Sequence, residues 1–97
     1  MRLMRRPITI LSIAGSDNSS GAGIQADLKT AKDLNAYCLN ALSVITSQNS
    51  KKIFKIVSLP IKLVKSQIDS LTKEYQIDGV KIGLILDKLL VNEIIKI

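Results

Sequence analysis

The sequence has 97 residues, 46% hydrophobic and 23% charged, a composition that suits one small globular domain with a modest core and excludes a disordered chain. Its formal net charge is +6, yet the basic residues are spread from Arg2, Arg5 and Arg6 to Lys62 and Lys65 with no nucleic-acid motif to organise them. Solvated faces are therefore expected in place of a nucleic-acid surface, no stretch is long enough to span a membrane, and the field can still draw in an anionic small substrate.

Residues 1–7 read as a basic lead. The apolar run 8–14 that follows is short and interrupted by Thr9 and Ser12, which fits a buried first strand better than a signal peptide. It stops at Gly15. Ser16, Asp17, Asn18, Ser19 and Ser20 then supply turn chemistry, and Gly21 and Gly23 permit a sharp bend or a close approach to a ligand. A helix is expected over residues 23–34, with Ile24, Leu28 and Ala31 on its buried face. The free N–H groups of its first turn would point into the loop and favour an anion or a polar acceptor.

After a break at Asn35 and Ala36, residues 38–46 read as a second strand, left by the polar run 47–52. Residues 53–59 form a third extended segment interrupted by Lys55. Pro60 suits the first position of a helix whose buried face is Ile61, Val64, Ile68 and Leu71. Asp78 and Gly79 turn the chain into a short strand, 80–84. A last helix over 87–97 carries the stripe Leu90, Val91, Ile94 and Ile95. Cys38 is the single cysteine, so no internal disulfide is possible and a reducing cytoplasm is the expected setting; its apolar neighbours suggest a small core residue.

Strands alternating with helices imply an α/β fold with a mostly parallel sheet and right-handed crossovers. Ligands of such sheets bind at the C-terminal ends of the strands. That rule gathers the 15–23 loop, a turn at Ser47, Gln48 and Asn49, and the Gly83-Leu84 turn at one rim. Spacing alone leaves open whether the first loop holds a ligand or is only a tight connection. It is neither a P-loop, because Gly21 is followed by Ala22, nor a G-x-G-x-x-G loop.

The run GSDNSSGAGIQADLKT, with SQN at 47–49 and VKIG at 80–83, resembles the start of a hydroxymethylpyrimidine/phosphomethylpyrimidine kinase. These are thiamine-pathway enzymes of the ribokinase-like fold. The resemblance covers residues 8–97 and implies the substrate-side, N-terminal part of such a kinase, an incomplete domain. The last helix, ending in mid-pattern without a Gly or Asn cap, agrees with truncation.

By similarity, Asp27 and Gln48 occupy pyrimidine-contacting positions, suited to the donors and acceptors of an aminopyrimidine edge. Gly15, with Gly21, Ala22 and Gly23, matches the loop that closes over the substrate. Leu84 stands where many relatives carry methionine, and Ser20 where a glycine is usual, which would stiffen the loop. ATP and Mg²⁺ are implied by the family, but their binding residues and the catalytic residue belong to the C-terminal half, and no residue here offers itself as a base.

The implied function is ATP-dependent phosphorylation of hydroxymethylpyrimidine and its monophosphate, with little activity from this chain alone. A separately encoded C-terminal half or a homo-oligomer is the implied partner. A non-catalytic pyrimidine-binding remnant is the alternative, and a small basic nucleic-acid binder a third reading.

Overall fold

The first strand, β1 (Thr9–Ser16), lies inside the sheet with a parallel neighbour on each side, which is why it is the most continuously buried segment of the chain. This computed structural model describes residues 6–96, so Arg2 and Arg5 fall outside the described residues. Then come α1 (Gly23–Asp33), β2 (Tyr37–Gln48), β3 (Ile53–Ser58), α2 (Ile61–Thr72), β4 (Gly79–Ile82) and α3 (Lys88–Ile95). The sheet order is β3-β2-β1-β4, with β1 parallel to β2 and β4, and β3 antiparallel to β2. The expected mostly parallel α/β arrangement is what forms.

Alternation along β1 sorts the two faces. Leu11 and Ile13, with Leu39 and Ala41 of β2, meet Val64 and Ile68 of α2 and Leu90 and Ile94 of α3 in one core cluster. Ser12 points to the opposite face, where its hydroxyl donates to Asp27 of α1 at 2.6 Å. The inner stripe of α1 therefore runs through Ile24, Asp27 and Ala31. Leu28, expected on that stripe, lies one residue further round the helix and is 41% exposed. The same geometry puts Leu90 and Ile94 inward on α3 and leaves Val91 and Ile95 outward, Ile95 at 75% exposure.

Pro60 is the residue before α2, not its first helical position; its carbonyl accepts from Leu63 and Val64 to start the helix. The expected second and last helices are otherwise nearly in place, with Asp87 outside α3 as its cap, accepting from Leu89 N at 2.9 Å. Gln67 of α2 does something the sequence did not suggest. Its amide bonds both backbone groups of Leu42, at 2.9 and 3.0 Å, on a stretch of β2 that β3 does not reach.

The strand β2 runs on through Ser47 and Gln48, which pair with Lys55 and Ile53. The turn expected at 47–49 thus begins only at Asn49, whose side chain accepts from Lys51 N and Lys52 N. Because β1 ends opposite Ile45, the β2–β3 hairpin extends past it, and every residue of β3 is exposed. The last strand is also shorter than expected, Gly79–Ile82 against 80–84, so Leu84 belongs to the loop beyond.

At the opposite end of the sheet, Arg6 of the basic lead makes a bidentate pair with Asp78, at 2.8 and 2.6 Å, and Asp78 also accepts from Thr9 N at 2.8 Å. The Arg6 guanidinium, and then the Thr9 amide, hold the Asp78 carboxyl down from 3.8 to about 2.

Truncating the core at Ile68→Ala should cost roughly 2–5 kcal/mol in urea unfolding, whereas Ile95→Ala, on the exposed side of α3, should shift the midpoint little. Because the folded pKa of Asp78 is depressed, its contribution is present above its ordinary value and is lost as pH falls from 3.8 toward about 2. Melting temperature against pH should therefore drop more shallowly across that window in Asp78→Asn than in the parent.

Candidate functional site

The C-terminal ends of β1, β2 and β4 reach one rim because all three strands are parallel. Between them lies a cavity of about 160 Å³ lined by Gly15, Asp17, Gly23, Gln48, Lys81 and Leu84 among others. It has room for a single ring and is smaller than the usual pocket for a drug-sized ligand, about 300 Å³ or more.

The loop from β1 to α1 is built around Asp17, which is only 5% exposed. Its carboxylate accepts from the Ser19 hydroxyl at 2.6 Å and from the amides of Ser19, Gly21 and Ala22 at 2.8, 2.9 and 2.9 Å. These bonds, the Ser19 hydroxyl foremost, hold the carboxyl below its ordinary value. The amides that Asp17 takes belong to the loop, up to Ala22 just before α1, and no side chain caps the first turn of the helix.

Gln25 of α1 ties the loop from the other side. Its Oε1 accepts from Asp17 N at 2.9 Å and its Nε2 donates to Ser16 Oγ at 2.7 Å. Gly23 is required for two reasons: its φ is +63°, and a Cβ there would collide with the Gly15 carbonyl oxygen. Gly21 has no such constraint, since a Cβ would meet only Asp17 at 3.5 Å.

Gln48 projects from the strand, not from a loop. Its Nε2 donates to Thr46 Oγ1 at 2.7 Å, and Thr46 donates in turn to Ser16 O at 2.8 Å. Its backbone N–H donates to Asn18 Oδ1 at 2.8 Å, so the loop and β2 are tied across the rim. Among the described residues no donor reaches Gln48 Oε1, which leaves that oxygen to accept an N–H from a ligand. Leu84 is fixed by its carbonyl, which accepts from Ser43 Oγ at 2.6 Å, and its side chain borders Gly15.

The rim cavity brings together Gly15, Ala22, Gly23, Gln48 and Leu84. Asp27 and Gly21 do not line it. Asp27 lines a second cavity instead, with Ser12, Cys38 and Lys81, and its carboxylate is bonded to Ser12 and Lys81. Cys38, taken from sequence as a core residue, is half-buried on that second cavity. Burial pushes its thiol up, the Asp27 charge adds to this, and Lys81 opposes it. Asp17, Gln25, Thr46 and Lys81 were not singled out as site residues. Only Asp17 left a local trace, an Asp two residues before Ser19 in a turn-forming run.

A family profile described as phosphomethylpyrimidine kinase matches residues 17–97. The chain belongs to the phosphomethylpyrimidine kinase family. It is 40% identical over 76 residues to a hydroxymethylpyrimidine/phosphomethylpyrimidine kinase of Haemophilus influenzae, covering 78% of this chain and 28% of that protein. It is 34% identical over 84 residues to the enzyme of that name from Bacillus subtilis, covering 87% of this chain and 31% of the relative.

The crystal structure of a Clostridium difficile phosphomethylpyrimidine kinase superposes with a TM-score of 0.87 at 40% identity, over 92% of this chain and 38% of that one. An ADP complex of Bacillus subtilis pyridoxal kinase gives 0.86 at 31% identity, over 94% and 35%. The fold is therefore a part of the ribokinase-like α/β fold, and the chain spans less than a third of the length of these curated relatives.

Ser20, which stands where the resemblance leads one to expect glycine, has φ +66°, a left-handed conformation that glycine adopts without cost. Ser20→Gly should therefore stabilise the chain by up to about 1 kcal/mol in denaturant unfolding, the relief of left-handed strain being partly offset by the freer unfolded chain.

Proposed function

We propose that the rim cavity binds an aminopyrimidine and that the chain is the substrate-side part of an ATP-dependent kinase for hydroxymethylpyrimidine and its monophosphate. The observation that carries this reading is the meeting of Gly15, Gln48 and Leu84 around one ring-sized cavity at the strand ends of a chain of this family. Gln48 supplies the polar edge. Its amide is held by Thr46 at one end and offers Oε1 to an exocyclic amine at the other. Leu84 gives an apolar wall for the ring, and the Gly15 and Gly23 backbone allows close approach.

ATP and Mg²⁺ belong to the reaction of the family. Asp17 takes the loop amides of Gly21 and Ala22 that lead into α1, and among the described residues no group of three or more His, Cys, Asp or Glu could hold a metal ion. What this chain's residues do is bind and orient the pyrimidine. Phosphoryl transfer draws on groups found in the rest of such a kinase, whether further chain, a complementary polypeptide or a partner copy. No helix among the described residues is long and apolar enough to cross a membrane.

Titration calorimetry with hydroxymethylpyrimidine should give saturable binding, and Gln48→Ala should weaken it by roughly 1–3 kcal/mol through the lost polar partner. Unchanged affinity in that variant would remove Gln48 from the contact, and no heat from the parent at millimolar ligand would end the pyrimidine reading. Pyridoxal serves as the comparison ligand; tighter binding of pyridoxal would redirect the substrate assignment.

A further inference from the structure

Asp27, the charged residue the sequence suggests, does not line the rim cavity, whereas Lys81 does. Lys81 of β4 sits opposite Ser12 of β1 in the strand register and lines both the rim cavity and the second cavity beside it. Its Nζ lies 2.9 Å from each oxygen of Asp27, and the Ser12 hydroxyl donates to the same carboxylate at 2.6 Å. The Asp27 side chain is 20% exposed and that of Lys81 49%. The carboxylate is thus engaged and set back, while the ammonium stands at the boundary.

Gly83 makes the arrangement possible. A Cβ at that position would lie 2.7 Å from Ala14 Cβ and 3.4 Å from Lys81 Nζ, so a larger residue would crowd the lysine against its partner. Two of the three ammonium hydrogens suffice for the two Asp27 oxygens, and the third remains for another acceptor. An ammonium cannot accept from the exocyclic amine of an aminopyrimidine. It can donate to a ring nitrogen or to an oxygen of the hydroxymethyl or phosphate substituent.

We propose that Lys81 is the group that meets an acceptor atom of the ligand on this side of the rim cavity, and that Asp27 is a positioning residue which holds the ammonium there without touching the ring. The inference rests on the pyrimidine reading above. It divides recognition between two elements: Gln48 Oε1 accepts from the ligand, and Lys81 donates to it.

A double-mutant cycle on the full chain, read by titration calorimetry with hydroxymethylpyrimidine and with its monophosphate, tests this. Lys81→Met should weaken binding by about tenfold or more, as expected for loss of a charged hydrogen bond, and Lys81→Arg should recover most of it. Asp27→Asn should weaken binding several-fold alone and add nothing on the Lys81→Met background.

Circular dichroism and melting temperature of each variant separate loss of contact from loss of fold, and the arginine variant keeps the test alive if the methionine variant unfolds. An equal loss from Asp27→Asn with and without Lys81 would place Asp27 itself on the ligand and overturn the proposal. So would full affinity in Lys81→Met while Gln48→Ala is impaired, a result that leaves the pyrimidine reading standing. No binding of either compound by the parent chain would overturn both.

Discussion

The strand β1 pairs in parallel with β2 on one side and β4 on the other, and the site depends on that double pairing. Parallel strands end on the same side, so the loop after β1, the end of β2 and the Gly83-Leu84 segment arrive at one rim although they are distant in sequence. The same pairing puts Leu11 and Ile13 against α2 and α3 and turns Ser12 toward α1. Core and site are thus built from alternate residues of one strand. A one-residue slip of β1 would turn the hydroxyl that holds Asp27 toward α2 and α3 and turn Leu11 and Ile13 toward α1.

Electrostatics at the rim is organised by pairing, not by the net charge of +6. Asp17 gathers the amides of the loop that leads into α1, and Asp27 engages Lys81. Both carboxylates are committed to intrachain partners. The rim offers a ligand the Gln48 amide oxygen, one ammonium hydrogen and apolar walls, an arrangement suited to a small heterocycle with both donors and acceptors.

Much of the fold was legible because its signals are local. Strand β1, the turn residues after it and the helical stripes of α2 and α3 follow from periodicity and from Gly, Asp and Pro at element ends. The misses share one cause. Leu28, Val91 and Ile95 sit beside the inward stripe of their helices, and composition does not say which flank of a broad apolar stripe meets the sheet. The continuation of β2 through Ser47 and Gln48 is decided by the partner strand β3, since polar residues in a projecting hairpin are stabilised by cross-strand bonds instead of burial.

By itself the sequence determined the α/β order, the place of the rim and, through the motifs at 15–30, 47–49 and 80–83, the family. Those properties reside in short-range periodicity, turn chemistry and spacing. Only the tertiary structure decided which charges meet. Asp17 closing on its own loop, Gln25 and Thr46 bracing the rim, and Lys81 standing between Asp27 and the cavity are contacts between residues up to 54 positions apart. They arise from the register of three parallel strands and the phase of one helix, and residue type alone does not encode whether a carboxylate faces a ligand or the lysine beside it.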